Sequence, residues 1–293
     1  MSVSPRVKAI FEALFVTFLW SSSYILTKFG LIDVQPLTLA GLRYLISSLV
    51  LIPIALSKGE HRKISGDAWW KLGVLGVLGY TVAQGLQCVG LFYLPSVSVT
   101  LILNFTPVTV ILLNLAFTGE APNRDQITGL GLVLLGALLF FSDKLGGYNL
   151  IGFIITLISG IGWAGYMVAG KLLFKEKRVS PLGNTAFAMG TGTILLLASA
   201  YLYEGLKPIP VSGWMIIIWL GVVNTALAFY LWNHALKTLE AFELSVLQNT
   251  MLIQITILSI IFLGEILPRV KYVYIMIIFI GVLVVQLRRG DRS

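Results

Sequence analysis

The chain has 293 residues, of which 57% are hydrophobic and 12% charged, with a formal net charge of +8 and a mean hydropathy of +0.90. A soluble domain carries roughly twice that charged fraction, so a water-soluble globule is excluded. The single cysteine, Cys88, and only two histidines, His61 and His234, rule out a disulfide framework and a thiolate metal cluster.

Long, nearly uncharged apolar stretches recur along the chain, and each reads as a spanning helix. Alternating ten-residue barrel segments are absent, which argues against an outer-membrane barrel. Arg6 and Lys8 lead into a first stretch long enough to stay in the membrane, so no separable signal peptide is expected. Ten spans are expected, at about 9–29, 36–57, 69–93, 96–117, 125–142, 149–171, 181–203, 213–236, 241–263 and 270–287. Their connections are short, so neighbours are antiparallel and no soluble domain fits between them.

Residues 79–120, where the third and fourth spans meet, contain Asn104, a Thr106-Pro107 kink and a Gly119-Glu120 end. An offset of 145 positions brings the plan back: Asn104 falls on Asn249, Leu113 on Leu258, Phe117 on Phe262, Gly119-Glu120 on Gly264-Glu265, and Gly136 on Gly281. Trp20 and Lys28 are eight apart in the first span, as are Trp163 and Lys171 in the sixth, and Pro36 and Pro181 open the spans that follow. Aligned Asn and Gly-Glu weigh more than aligned aliphatics, and the chain reads as an internal repeat. Residues 1–145 form one five-helix unit and 146–293 the other. Five is odd, so the second copy enters the membrane with the opposite orientation, giving inverted-topology repeats. One departure stands out. Leu252 occupies the place where Pro107 would recur, so the ninth span lacks the residue that kinks the fourth.

Lys and Arg set the orientation. With the N-terminus inside, fifteen fall on the cytoplasmic side and five (Lys28, Lys144, Lys207, Arg269, Lys271) outside, with Arg43 within a span. Both termini are therefore expected in the cytoplasm. The positive charge reads as a topology signal and as contact with anionic lipid. No basic stripe with interleaved aromatics points to nucleic acid.

At this point the sequence resembles the drug/metabolite transporter superfamily, in its ten-helix EamA-like branch. The residues that carry the resemblance are Trp20-Ser21-Ser22, Gly162-Trp163-Ala164, Arg43, Thr106-Pro107 and the paired Gly-Glu ends. The resemblance implies export of amino acids or related metabolites from a prokaryotic cytoplasm, across its cytoplasmic membrane.

Polar groups inside spans are either helix-packing glue or pathway, and both readings stay open for Asn104 and Asn249. Their symmetry favours the pathway. Pro107 adds to the case for Asn104 by crowding the carbonyl of Leu103 and leaving an acceptor beside the amide. Tyr80, Gln84 and Gln87 share one face of the third span, and Asn224 lies within one position of the repeat equivalent of Tyr80; they line a cavity or bond between helices. Trp20, Tyr24, Trp163 and Tyr166 offer aromatic faces for an apolar, aromatic or cationic group, or simply pack. Arg43 lies about seven residues into its span, where a central arginine costs about 2.5–3.5 kcal/mol. It acts as a structural lock to a carbonyl or Glu, the preferred reading, or as a grip on a substrate carboxylate. Glu12 is a coupling-proton carrier or, preferably, an interfacial acid. Glu240 and Glu243, Glu120 and Glu265 read as helix-boundary residues, and His234 as interfacial.

These residues suit a secondary transporter exporting small organic metabolites, with neutral or aromatic amino acids first. Exporters of hydrophobic or cationic drugs and quaternary amines come second, since they call for a central acid. No G-x-x-x-x-G-K-[ST] match occurs, so ATP does not drive it directly. An intramembrane enzyme needs a concentrated acid–base or nucleophile cluster, and none is seen. No catalytic residue, metal site or cofactor is expected. The expected partners are a small-molecule substrate and membrane lipids, with the chain a monomer.

Overall fold

The computed structural model describes residues 4–119, 122–142, 149–177, 179–205, 207–263 and 268–287. All regular structure among them is helical. The helices are α1 (Pro5–Asp33), α2 (Pro36–Ser57), α3 (Gly66–Tyr93), α4 (Ser96–Leu103), α5 (Thr106–Thr118), α6 (Arg124–Phe141), α7 (Leu150–Lys175), α8 (Pro181–Glu204), α9 (Val211–Thr238), α10 (Ala241–Gln248), α11 (Met251–Leu263) and α12 (Arg269–Leu287), with one extra turn at Glu60–Lys63. Among the described residues, seven stretches are long and apolar enough to cross a membrane: α1, α2, α3, α7, α8, α9 and Ala241–Leu258.

The side chains are sorted for lipid rather than water. On α1, Phe11, Phe15 and Phe18 are exposed, while Ala9, Ala13, Thr17 and Ser21 are buried. Between helices in a bilayer no hydrophobic gradient exists, so small and hydroxyl residues at the contacts, with large apolar ones facing outward, are the stable arrangement. Buried serines and threonines return their hydroxyls to the preceding turn, as Ser21 does to Thr17 (2.7 Å) and Thr156 to Gly152 (2.7 Å).

Glycines set two close crossings. A Cβ on Gly192 would lie 2.5 Å from the carbonyl of Gly76, fixing α8 against α3. Gly136 and Gly281, which the 145-residue offset superposes, face the partner helix in turn: a Cβ on Gly136 would meet Tyr274 O at 3.0 Å and one on Gly281 would meet Gly129 O at 2.7 Å. This is how α6 and α12 pack so closely. Other contacts come in matching pairs: α1 packs on α9 and α7 on α3, α1 on α10 and α11 as α7 on α4 and α5, and α2 on α8.

Similar end devices recur at offsets of 143 (Lys28 and Lys171) and 144 (Glu60 and Glu204). Lys28 Nζ donates to the carbonyls of Leu91 and Leu94 at the end of α3, the latter at 2.8 Å. Lys171 Nζ donates to Leu236 (3.2 Å) and Leu239 (2.8 Å) at the end of α9. Each cation meets the negative end of a helix dipole. Glu204, closing α8, accepts from the N–H groups of Leu37 and Thr38 at the start of α2, both at 2.7 Å. Glu60, just past α2, accepts from Ser180 Oγ (2.5 Å), the residue that caps α8.

The helix break also recurs, against the sequence expectation. The chain leaves helical geometry at Asn104-Phe105 and again at Asn249-Thr250, where no proline follows. At both breaks the bonds tighten to the i→i+3 pattern, Phe105 N–H to Ile102 O and Asn249 N–H to Val246 O. At both, a threonine hydroxyl takes a freed carbonyl, Thr106 that of Leu103 (2.6 Å) and Thr250 that of Leu247 (2.7 Å). The Leu103 acceptor is thus already used, not left for the Asn104 amide. Threonine supplies at the second break what proline reinforces at the first.

Gly119 ends α5 in the left-handed conformation (φ 68°), the usual role of a glycine just past a helix. Glu120 and the Gly264-Glu265 pair lie outside the described residues, as do Lys144, Arg178, Arg288, Arg289 and Arg292 of the charge tally. Glu240 and Glu243 form a capping box at the start of α10, which makes them boundary residues as read from the sequence.

Candidate functional site

A cavity of about 540 Å³, including its open mouth, lies within the bundle. Its walls are contributed by α1 (Trp20, Ser23, Tyr24, Thr27), α2 (Leu39, Ala40, Arg43, Tyr44) and α3 (Gln84, Gln87, Cys88, Leu91), with Trp163 from α7 and Gln248 and Met251 from either side of the second helix break. Two features of the backbone shape it. The α3 wall is π-helical from Gly76 to Gly85, and α9 is π-helical at Val222–Leu227, which overlaps the positions 145 residues later. Such wide turns break the even stacking of an α-helix and often lie at functional sites. The helix break at Asn249 turns Gln248 and Met251 toward the same space.

The wall side chains are positioned by one another. Trp163 Nε1 donates to Gln248 Oε1 (2.6 Å), Tyr44 to Gln84 Oε1 (3.0 Å), and Gln87 to the Tyr24 hydroxyl. Trp20 and Trp163 meet edge to face at 5.7 Å, and Trp20 packs on Trp232 and Phe229. The indole N–H of Trp20 is buried without a partner. Arg43, 8% exposed, donates through Nε to the Thr225 hydroxyl and through Nη2 to the carbonyl of Asn224 (3.2 Å), and its guanidinium lies 5.6 Å from the Tyr44 ring.

Of the residues singled out in the sequence, Trp20, Tyr24, Gln84, Trp163 and Arg43 line this cavity. Five others lie elsewhere. Tyr80 and Tyr166 are fully buried on the far side of the tryptophans, hydroxyl to hydroxyl at 3.0 Å. Tyr166 also accepts from Asn233 Nδ2 (2.7 Å), while Asn184 Nδ2 donates to Asn233 Oδ1 (3.0 Å) and Asn233 Nδ2 to Thr185 (2.9 Å). Asn224 ties α9 to α1 through the carbonyl of Leu19 (2.5 Å) and to Ser22 (3.1 Å). Asn104 and Asn249 meet directly, Asn249 Nδ2 on the Asn104 carbonyl at 3.5 Å, leaving the Asn104 amide nitrogen buried without a partner.

Glu12 sits at the closed end of the bundle, paired with His234 Nδ1 (2.6 Å) and 3.9 Å from Lys8.

Sequence reasoning missed Tyr44, Gln248 and the small-residue wall of Ser23, Thr27 and Ala40. Tyr44 follows Arg43 and Gln248 precedes Asn249, so adjacency to an intramembrane polar residue was the available signal. Among the described residues, no three His, Cys, Asp or Glu side chains gather as metal ligands.

The model of the EamA-like transporter family matches residues 7–142 and again 150–287. An uncharacterized transporter of Archaeoglobus fulgidus is 29% identical over 239 residues, covering 78% of this chain and 80% of that one. An S-adenosylmethionine/S-adenosylhomocysteine transporter of Chlamydia muridarum is 25% identical over 89% of this chain and 86% of that one. A protein of Escherichia coli K12 named "Probable amino-acid metabolite efflux pump" is 24% identical over 80% and 79% of the two chains. A solved structure described only as that of a protein superposes with a TM-score of 0.79 at 21% identity, over 98% of this chain and all of its own, which shows the shared fold.

Proposed function

From the premise that this chain belongs to the EamA-like transporter family, and is therefore a multi-pass membrane transporter of small molecules, we propose that it exports amino-acid-like metabolites by alternating access. In this reading ten spans form two inverted five-helix repeats, residues 1–145 and 146–293. α4 with α5, and α10 with α11, then each make one broken span, and α6 and α12 complete the two sets. Two family-model matches in tandem support it, as do the paired lysine, glutamate and glycine contacts 143, 144 and 145 residues apart. Both termini lie in the cytoplasm of a prokaryotic cell, and the cavity opens outward.

The observation that carries the proposal is the cavity between the two sets of helices. In this reading its mouth lies toward Thr27, Leu39 and Leu91, and Trp20, Trp163 and the buried rings packed on Trp20 stop its other end. A substrate site reached from one side and sealed from the other is what alternating access requires in a single state. We assign Trp20, Tyr24, Gln84 and Trp163 to substrate contact, Tyr80, Tyr166 and Asn224 to the seal, and Asn104 and Asn249 to the hinges where the spans break. S-adenosylmethionine and amino acids share an α-amino carboxylate, so the relatives' named substrates point to that group. The test is a proteoliposome screen of labelled amino acids and quaternary amines, with and without a pH gradient. Uptake of neutral or aromatic amino acids is expected. Transport confined to the quaternary amines would overturn the substrate reading.

A further inference from the structure

Arg43 has a position that a purely structural lock does not explain. It is buried at membrane depth, yet its two protein partners, the Asn224 carbonyl and the Thr225 hydroxyl, are both neutral. Among the described residues no carboxylate pairs with it, and the cavity it faces has no acidic wall residue. A guanidinium has five N–H groups in a planar fork. Its bonds to α9 hold two of the fork's nitrogens and leave Nη1 with no protein partner, and the guanidinium carbon lies 5.6 Å from the centre of the Tyr44 ring. The cavity thus holds one rigid, uncompensated positive charge. Beside it stand the unpartnered indole N–H of Trp20 and the amide of Gln84.

We infer that Arg43 is the binding site for a carboxylate on the transported molecule, so the substrate is an anion or a zwitterion and never a simple cation. The inference rests on the transporter reading above and narrows its substrate class. The chemistry follows from the geometry. A planar fork held by neutral acceptors is already oriented for a carboxylate and pays little to form charge-assisted bonds. The same fixed charge repels an amine that lacks a carboxylate, and the aromatic walls would otherwise welcome one. The bonds to Asn224 and Thr225 also join α2 to α9, so a bound carboxylate is sensed at a contact between the two sets of helices.

The test uses the full-length protein, in detergent for binding and in proteoliposomes for competition against transport. The probes are matched pairs: phenylalanine, leucine and methionine, each against its own amide, which keeps the ammonium and side chain but removes the negative charge. The acids are expected to bind about tenfold to a hundredfold more tightly than the amides. Arg43→Gln should weaken the acids to the level of the amides, with Arg43→Lys recovering part of the loss. If Arg43→Gln does not fold, the wild-type pairs alone decide. Amides that bind and are carried as well as the acids would overturn the carboxylate site and leave the transporter standing. If no member of any pair binds, the amino-acid substrate falls together with the site.

Discussion

Two ends of the bundle, built from helices 145 residues apart in sequence, stand in opposite conditions. Around one, α1, α2 and α3 line a cavity, and around the other the corresponding positions of α7, α8 and α9 are buried rings and amides. Positions 145 apart show how. Gln84 and Gln87 at the open end correspond to Phe229 and Trp232 at the closed one, Cys88 to Asn233, and Leu39 to Asn184. One face has been filled in two ways. Amides that can bind a guest occupy it at the open end, and rings with a buried hydrogen-bond network occupy it at the closed end. The closed end also carries ion pairs that stitch the two sets together, Arg6 to Glu243 (2.9 Å) and Lys71 to Glu176 (3.4 Å). The difference teaches that opening the closed end means breaking specific bonds, whereas closing the open end means only approach of its walls.

The largest expected effect concerns which end faces which compartment. In a Cys88→Ala background, Lys207→Cys at the open end should react with an impermeant thiol reagent on intact cells. Arg62→Cys at the closed end should react only after the membrane is permeabilised. Both positions are exposed. The reverse pattern would turn the transporter around and make the open cavity cytoplasmic.

Second in size is the energetic asymmetry of the ends. Asn233→Ala removes an amide bonded to Tyr166, Asn184 and Thr185 and strands those groups in a dry interior. It should cost about 1–3 kcal/mol. Cys88→Ala, 145 positions earlier, removes one small buried atom beside a cavity and should cost under about 1 kcal/mol. Unfolding in detergent measures both. Equal losses would mean that the network at the closed end contributes nothing beyond packing.

Most of the architecture was legible in the sequence because lipid imposes period and length: an apolar stretch of some twenty residues has few alternatives. The proposed repeat rests in the sequence on Asn104, Asn249 and the eight-residue Trp–Lys spacing. Lys28 and Lys171 then proved to make the same contact at two helix ends, a role that spacing alone does not reveal. The second helix break was hidden because proline is the break signal that a sequence advertises, whereas Thr250 acts through a hydroxyl bonded to its own helix. The site was half legible. Trp20, Tyr24, Gln84 and Trp163 reach the cavity as a polar or aromatic stripe would suggest. Tyr80 lies one turn from Gln84 on the same helix, but the π-helical turns between them direct it into the closed network. Helical periodicity assumes 3.6 residues per turn, and where that fails, side-chain direction is lost to the reader.

The smallest expected effect tests whether the two ends share one anchoring device. Glu204 at the open end holds the first turn of α2 through two backbone N–H groups and the Thr38 hydroxyl, all at 2.7 Å. Glu60 at the closed end holds Ser180 at the start of α8 and is paired with Lys63 at 2.8 Å. Burial pushes the Glu60 carboxyl up, but the hydrogen bonds from Lys63 and Ser180 and the charge of Lys63 outweigh it, leaving the group below its ordinary value of 4.5. A folded-state value below the unfolded one means that the unfolded chain takes up this proton first. The contribution of Glu60 is therefore complete above pH 4.5 and is lost as pH falls through its lowered folded value. Melting temperatures of the wild type and Glu60→Gln, taken in detergent from about pH 7 down to about pH 3.5, isolate the group, because every other carboxylate titrates in both proteins. The gap between the two curves should stay constant near neutrality and shrink below pH 4.5. A gap that widens with acid, or does not change, would show that Glu60 is not an ionised anchor of α8.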